Sequence, residues 1–307
     1  MEFKVAKNTA KVRFCNTILL FDSLAIKQLL HQQLISAINC LEKQLNVTLD
    51  KVSETLELTL LDNSRQSLEC EFLVKYRSSI ALKIAGKQQE DAIDIASRLA
   101  AFIPTIVINP TPGETFLDVN VQVTSPGWID FQLNDKSLGI WLQTLTQRSA
   151  QLSEELSAFP KNYSEAEVFP VQCAHGRCCS LLRLAQRQEL IHLHDDSTWQ
   201  IIAPNPLPWL DANGQLRLVH PAERWLIYQI ARTVDELICP TCPDCVKVAK
   251  ALSEAMLEFD RHCRIWGEVK IETPQLAQAR LGLVAIARSL MRSLLQNRMG
   301  ASAPEEL

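Results

Sequence analysis

The sequence predicts an α+β N-terminal domain followed by an all-α helical bundle, and three observations carry that prediction. Short segments in which apolar and polar residues alternate occur up to residue 133, interleaved with helical patterns. From Val168 onward, apolar residues recur at helical spacing almost without interruption. Between the two regions lies PKNYSEAE, a polar stretch with a proline that suits a connector. The domains are accordingly placed at 1–150 and 168–307, with 151–167 as the linker.

The first predicted helix is DSLAIKQLLHQQLISAINCLEKQL, with Asp22 and Ser23 as N-cap candidates and Ile26, Leu30, Leu34, Ala37, Leu41 and Leu45 at helical spacing. TLELTLL and LECEFLVKY flank the turn-like DNSRQS and read as a hairpin or two sequential strands. EDAIDIASRLAAFI is a second helix stopped by Pro104. IVINP and FLDVNVQVTSPGWIDFQL supply further strands, the latter broken at Pro126 and Gly127. In the second domain, helices are predicted over 171–187, 220–238, 246–263 and 274–297. In the third of these, Val248, Leu252, Ala255 and Phe259 form the buried stripe. Pro204, Pro206 and Pro208 make STWQIIAPNPLPWLDANGQLRL a loop.

The bulk numbers narrow the function. With 47% apolar and 21% charged residues, the 307-residue chain has the composition of a soluble globular protein. Its opening segment is too interrupted for a secretory signal, and no stretch approaches the roughly 20 apolar residues of a membrane span. A cytoplasmic location is expected, where the ten cysteines stay reduced and clustered thiols point to metal or redox chemistry before disulfides. The net charge of −4 includes no basic excess in either half, so any RNA contact has to come from a local patch. Nine glycines and the absence of GxGxxG or GxxxxGK[ST] leave no visible nucleotide-binding core. Serine elbows and HExxH are also absent. No small-molecule substrate is inferred.

Four segments of the helical half resemble, in order, the DALR-type anticodon-binding domain of arginyl-tRNA synthetases. They are VQCAHGRCCSLLRLA (171–185), HPAERWLIYQIARTVDEL (220–237), VKVAKALSEAMLEFDRHCRIW (246–266) and PQLAQARLGLVAIARSLMRSLLQNRMGASAPEEL. In the first half, YRSSIALKIAG (76–86) and SPGWIDFQL (125–133) resemble the N-terminal additional domain of the same synthetases, with Trp128 and Asp130 replacing the usual Phe and Asn. In the family, a nucleotide-binding fold of several hundred residues, carrying His-x-Gly-His, lies between these domains. Here Leu133 and Val168 are a few dozen residues apart, with no His-x-Gly-His and no KMSK-like loop. The resemblance therefore implies a non-catalytic paralogue, not an enzyme of the ancestral kind.

It also implies RNA-contacting residues, because the family uses the first helix of this domain, the end of the third and the closing tail against the anticodon stem and loop. Ala174, His175 and Arg177 keep the Ala-His-x-Arg element, while Cys173 stands where a tyrosine is usual. That ring is a real loss, since stacking holds single-stranded bases by about 1–3 kcal/mol each. Trp266 is the candidate replacement, with Arg183, Arg187, Arg261 and Arg264 as phosphate contacts. The bland reading makes Trp266 a packing residue and the arginines a solvated face.

CPTCPDC places Cys239, Cys242 and Cys245 at equal spacing in a loop where the family has no cysteine. C-x2-C-x2-C resembles the first three ligands of a ferredoxin run, and a remote fourth ligand would be needed. The pool is Cys173, Cys178, Cys179 and Cys263, of which Cys173 is the candidate. An iron–sulfur cluster fits the spacing best; zinc with His175 or His262 is the alternative, and a loop of free thiols the bland reading. Cys15, Cys40 and Cys70 read as ordinary core or surface residues. Two functions follow as expectations: a binding protein for tRNA or a synthetase or translation partner, or a metal-bearing assembly or redox factor whose partner is protein.

Overall fold

The structure is a computed structural model. It describes residues 24–45, 56–61, 74–103, 105–108, 115–152, 163–194, 199–238 and 244–306. The chain divides into two compact units, Ala25–Ile140, and Met1–Leu24 with Trp141–Leu307.

In the first unit, helix α1 (Ile26–Leu45) buries Ile26, Leu30, Leu34, Ala37 and Leu41, the stripe its sequence periodicity marks. Its expected caps, Asp22 and Ser23, lie outside the described residues. Strands β1 (Leu58–Leu60), β2 (Lys75–Ser78), β3 (Thr105–Ile108), β4 (Thr115–Thr124) and β5 (Trp128–Leu133) form one antiparallel sheet in the order β1-β2-β5-β4-β3. Helix α2 (Ile80–Gln88) follows β2, and the sequence reading assigned no helix there. Nine residues leave little room for periodicity to register, and the helix buries only Ile80, Ala81 and Ile84. Helix α3 (Ala92–Ala101) starts at Asp91, whose carboxylate accepts the Ile93 N–H at 2.7 Å in a side-chain N-cap.

The β4–β5 turn explains the Pro-Gly break. Gly127 sits at φ +134°, and a Cβ there would meet the Ala92 Cβ at 2.7 Å, so conformation and space both require glycine. On β5, Asp130 is 1% exposed and opposite Arg77 in the ladder. Arg77 donates to both its oxygens, at 2.7 and 2.8 Å, and Lys75 lies at 3.1 Å. Burial alone would raise the Asp130 pKa, but the hydrogen bonds from Arg77 and Lys75 outweigh it and hold the carboxyl below the usual range. The buried carboxylate at this position is thus met by two cations on the neighbouring strand.

Helix α4 (Asp135–Leu152) leads into the second unit. There α5 (Glu165–Arg187), α6 (Pro221–Ile238), α7 (Cys245–His262) and α9 (Pro274–Ser293) pack around one another, with short α8 (Glu268–Glu272) between α7 and α9. α5 opens with a capping box, Ser164 with Glu167. α9 is the centre of the bundle: it is buried without interruption from Ala279 to Met291 and continues into a π turn at Leu294–Arg298. The proline-rich loop is not featureless. Its β7 (Ile201–Ala203) pairs with β6 (His192–Leu193) just upstream, and the loop delivers Trp209 onto α9. The Trp209 indole N–H and the Leu207 backbone N–H both donate to Gln143 Oε1, at 2.9 and 3.0 Å.

Gly282 on α9 allows that approach, since a Cβ would meet Trp209 Cη2 at 2.4 Å and Leu207 Cδ1 at 2.8 Å. Although alanine is the better helix former, overpacking governs here. Gly282→Ala is expected to destabilise the protein by about 1–3 kcal/mol, read as a lower denaturation midpoint in urea.

Candidate nucleic-acid interface

Two contacts fix the register of α5 against α7. Arg177 donates to both carboxylate oxygens of Asp260, at 2.8 and 3.2 Å, and Lys270, beyond the end of α7, donates to Gln188 Oε1, at the end of α5, at 2.7 Å. The two pairs are offset by 83 and 82 residues (260 − 177 and 270 − 188), so α5 and α7 run in the same direction, with residue n of α5 beside about residue n + 83. The C-terminal end of α7 therefore lies beside the part of α5 around Arg177, and α8 lies beside the end of α5.

This end of the bundle holds most of the residues picked out as RNA contacts. Arg177, with half its side chain exposed, is paired with Asp260; Arg261, more exposed, pairs with Glu258 at 2.7 Å. Arg264 is exposed, and its carbonyl accepts a hydrogen bond from Arg280. Trp266 is half-buried and Arg187 exposed. Exposed pairs of this kind contribute little stability and are easily exchanged for another anion.

His175 is different: its side chain is inside the bundle. Nδ1 faces the Pro304 carbonyl oxygen at 2.8 Å, which makes it the protonated nitrogen, while Nε2 is buried without a partner. Burial lowers its pKa to about 4, with the nearby positive charges of Arg288 and Arg292 acting in the same direction. A neutral, enclosed imidazole holds the extended segment Ala301–Glu306 against α5 and is not itself a surface contact. Along the same helix, Gln172 donates to the Ser302 carbonyl at 2.9 Å, and Arg183 donates to Glu305 Oε2 at 2.8 Å and reaches Glu306 at 3.1 Å.

The sequence reading overlooked Trp199 and Arg288. The Arg183 and Arg288 guanidinium carbons lie 5.1 and 4.8 Å from the Trp199 ring centroid, and the indole N–H donates to Glu305 Oε1 at 3.1 Å. Trp199 sits in the proline-rich loop and Arg288 in an otherwise apolar helix, and nothing in the local pattern joins them. The same holds for a second buried pair: Arg280 donates to Glu223 Oε1 at 2.6 Å, while Glu223 Oε2 accepts the His220 N–H at 2.8 Å.

Of the suggested metal ligands, Cys239 and Cys242 lie outside the described residues. Cys245 is the buried first residue of α7, and Cys173 is half-buried on α5. By the helix register, Cys173 stands beside Met256, eleven residues along α7 from Cys245 (256 − 245), or about 16 Å at the helical rise. Ligands of one metal ion sit about 2.3 Å from it, so Cys173 does not share a single-ion site with Cys245. The other candidates are enclosed. Burial raises the thiol pKa of Cys178 and Cys179, and burial with the charge of Glu223 pushes Cys263 up to about 12. The Cys263 sulfur lies 3.5 Å from His220 Nδ1, and the His220 and His262 rings are stacked. Among the described residues, no group of three or more His, Cys, Asp or Glu side chains is arranged to hold a metal ion.

The enclosed imidazole has a measurable consequence. Between pH 6.5 and about 4 the unfolded chain binds a proton on residue 175 that the folded chain excludes, so stability falls as pH falls through that window. The contribution approaches about 3 kcal/mol. Urea unfolding from pH 7 to pH 4 is expected to show a shallower loss in His175→Asn than in the unaltered protein.

No protein-family model matches the chain, and no solved structure matches it. Among the described residues, no helix is long and apolar enough to cross a membrane. The chain is 26% identical over 221 residues to an arginine–tRNA ligase of Synechococcus sp. (strain JA-3-3Ab), covering 68% of this chain and 35% of that protein. It is 33% identical over 162 residues to the arginine–tRNA ligase of Heliobacterium modesticaldum, covering 52% and 26%, and 27% identical over 158 residues to that of Dehalococcoides mccartyi strain BAV1, covering 52% and 25%. It thus spans about a third or less of the length of these curated relatives, and over half to two thirds of its own length it is similar to arginine–tRNA ligases.

Proposed function

We propose that this protein is a non-catalytic relative of arginyl-tRNA synthetases that binds tRNA, with the C-terminal end of α7 and the part of α5 around Arg177 as the contact surface. The observation that carries the reading is the Arg177–Asp260 contact, which sets Arg177 beside the end of α7 that carries Arg261 and leads to Arg264 and Trp266. These are the groups such a surface needs: cations for phosphates and an accessible ring. The electrostatics are local, since each of Arg177 and Arg261 already has a carboxylate partner. Binding is therefore modest and strongly salt-sensitive. Non-catalysis rests on the interior of the chain, where a few dozen residues separate the SPGWIDFQL motif from the first helix of the bundle and no His-x-Gly-His occurs. A DALR-like identity for the bundle, a cytoplasmic location and a synthetase or translation factor as protein partner belong to the same proposal.

Gel-shift titration with unfractionated tRNA at two salt concentrations tests it. Arg261→Gln/Arg264→Gln is expected to weaken binding about tenfold at low salt and to reduce the salt slope by about 1–2. Absence of any salt-dependent shift in the unaltered protein would end the reading, as would charging of tRNA with arginine by the purified chain.

The metal-bearing alternative keeps Cys239, Cys242 and Cys245 and gives up Cys173. What supports it is the equal spacing of the three thiols, the third of which, Cys245, opens α7. Anaerobically purified protein is then expected to carry iron or zinc, and Cys242→Ser to lower metal content and melting temperature together. Unchanged metal content in that variant would remove the loop as ligand.

A further inference from the structure

Three donors from distant parts of the chain converge on one carboxylate. Arg183 Nη2 on α5 donates to Glu305 Oε2 at 2.8 Å, the Trp199 indole N–H donates to Glu305 Oε1 at 3.1 Å, and Arg288 Nη2 on α9 lies 3.9 Å from the same Oε1. The fit is incomplete. The Arg288 side chain is 2% exposed and hydrogen-bonds the Cys179 side chain, yet its nearest carboxylate oxygen is beyond hydrogen-bond length and its Nε is buried without a partner. His175 Nε2 is a second buried, unpartnered polar atom under the same segment. Trp199 is itself held at φ 56°, in the left-handed region that an indole-bearing residue rarely occupies.

Buried cations demand an anion, and guanidinium groups flanking an N–H donor match a phosphate at least as well as a carboxylate. Glu305, by contrast, is 40% exposed, and its segment crosses α5 by a handful of hydrogen bonds, without secondary structure of its own. The donors are therefore built into the bundle while the acceptor is peripheral. Trp199 is too enclosed for a base to stack on it, so the ligand group is the oxyanion alone.

We propose that Arg183, Trp199 and Arg288 form an oxyanion site which Glu305 fills in cis, and that a phosphate of bound RNA replaces it when segment 301–306 lifts from α5. This rests on the tRNA-binding reading above and adds to it a competitor carried by the chain itself. The free protein then holds its own best phosphate site closed, and neutralising the competing carboxylates opens it.

The test compares the full chain with Glu305→Gln/Glu306→Gln in filter binding to unfractionated tRNA at low salt. Glu57→Gln/Asp94→Asn, which removes two exposed carboxylates of the first unit, controls for net charge. The first variant is expected to bind at least about fivefold tighter, the control less than about twofold, and added Arg183→Gln should abolish the gain. Equal affinity of the unaltered protein and Glu305→Gln/Glu306→Gln would overturn the site while leaving tRNA binding intact. A gain matched by the control would overturn it as well. No binding by either protein would overturn both the site and the reading beneath it. Glutamyl endopeptidase provides a readout without substitution: added tRNA is expected to accelerate cleavage after Glu305 or Glu306, and protection there would overturn the proposal.

Discussion

The second unit depends on a helix that is enclosed on every side and still carries arginines. α9 is buried continuously from Ala279 to Met291, which is expected of a helix that is apolar all round. Arg280 and Arg288 break that pattern, and a buried guanidinium must be answered by acceptors from other elements. Arg280 is met by Glu223 of α6 and by the Arg264 carbonyl beyond the end of α7, which ties three helices together at one level. Arg288 is met less completely, by the Cys179 side chain, the Trp199 ring and the Glu305 carboxylate. The first arginine makes a closed structural joint; the second leaves an unsatisfied one beside the surface.

That difference organises the candidate site. Around Arg288 the chain assembles a second cation, an indole N–H and a neutral imidazole, and covers them with an extended segment whose acidic side chains face the positive charge. Farther along, the exposed Arg177 of α5 and Arg261 of α7 are likewise paired with carboxylates. A chain with a net charge of −4 can present a cationic surface in this way without a basic composition, because its positive groups are gathered and their partners are replaceable.

The cysteines follow the same logic of enclosure. Cys178 and Cys179 lie within the helix packing, where desolvation favours the neutral thiol over the thiolate that metal binding and nucleophilic chemistry need. Helix register also separates Cys173 from Cys245. A count of cysteines on the chain therefore overstates how many belong to one chemical centre.

What the sequence determined by itself was the part set by local periodicity and turn residues: the stripe of α1, the Pro-Gly break between β4 and β5 and the four long helices of the bundle. Each is fixed by neighbours a few residues away. α2 and the β6–β7 ribbon were too short to leave a pattern, and the capping box extended α5 upstream of its predicted start. Only the tertiary structure decided that His175 is an interior clasp, and that Trp199, Arg288 and Glu305 converge with Arg183. Burial and charge pairing depend on residues more than a hundred positions apart, joined by the packing of whole helices, and no local sequence signal records which buried cation will be left short of an anion.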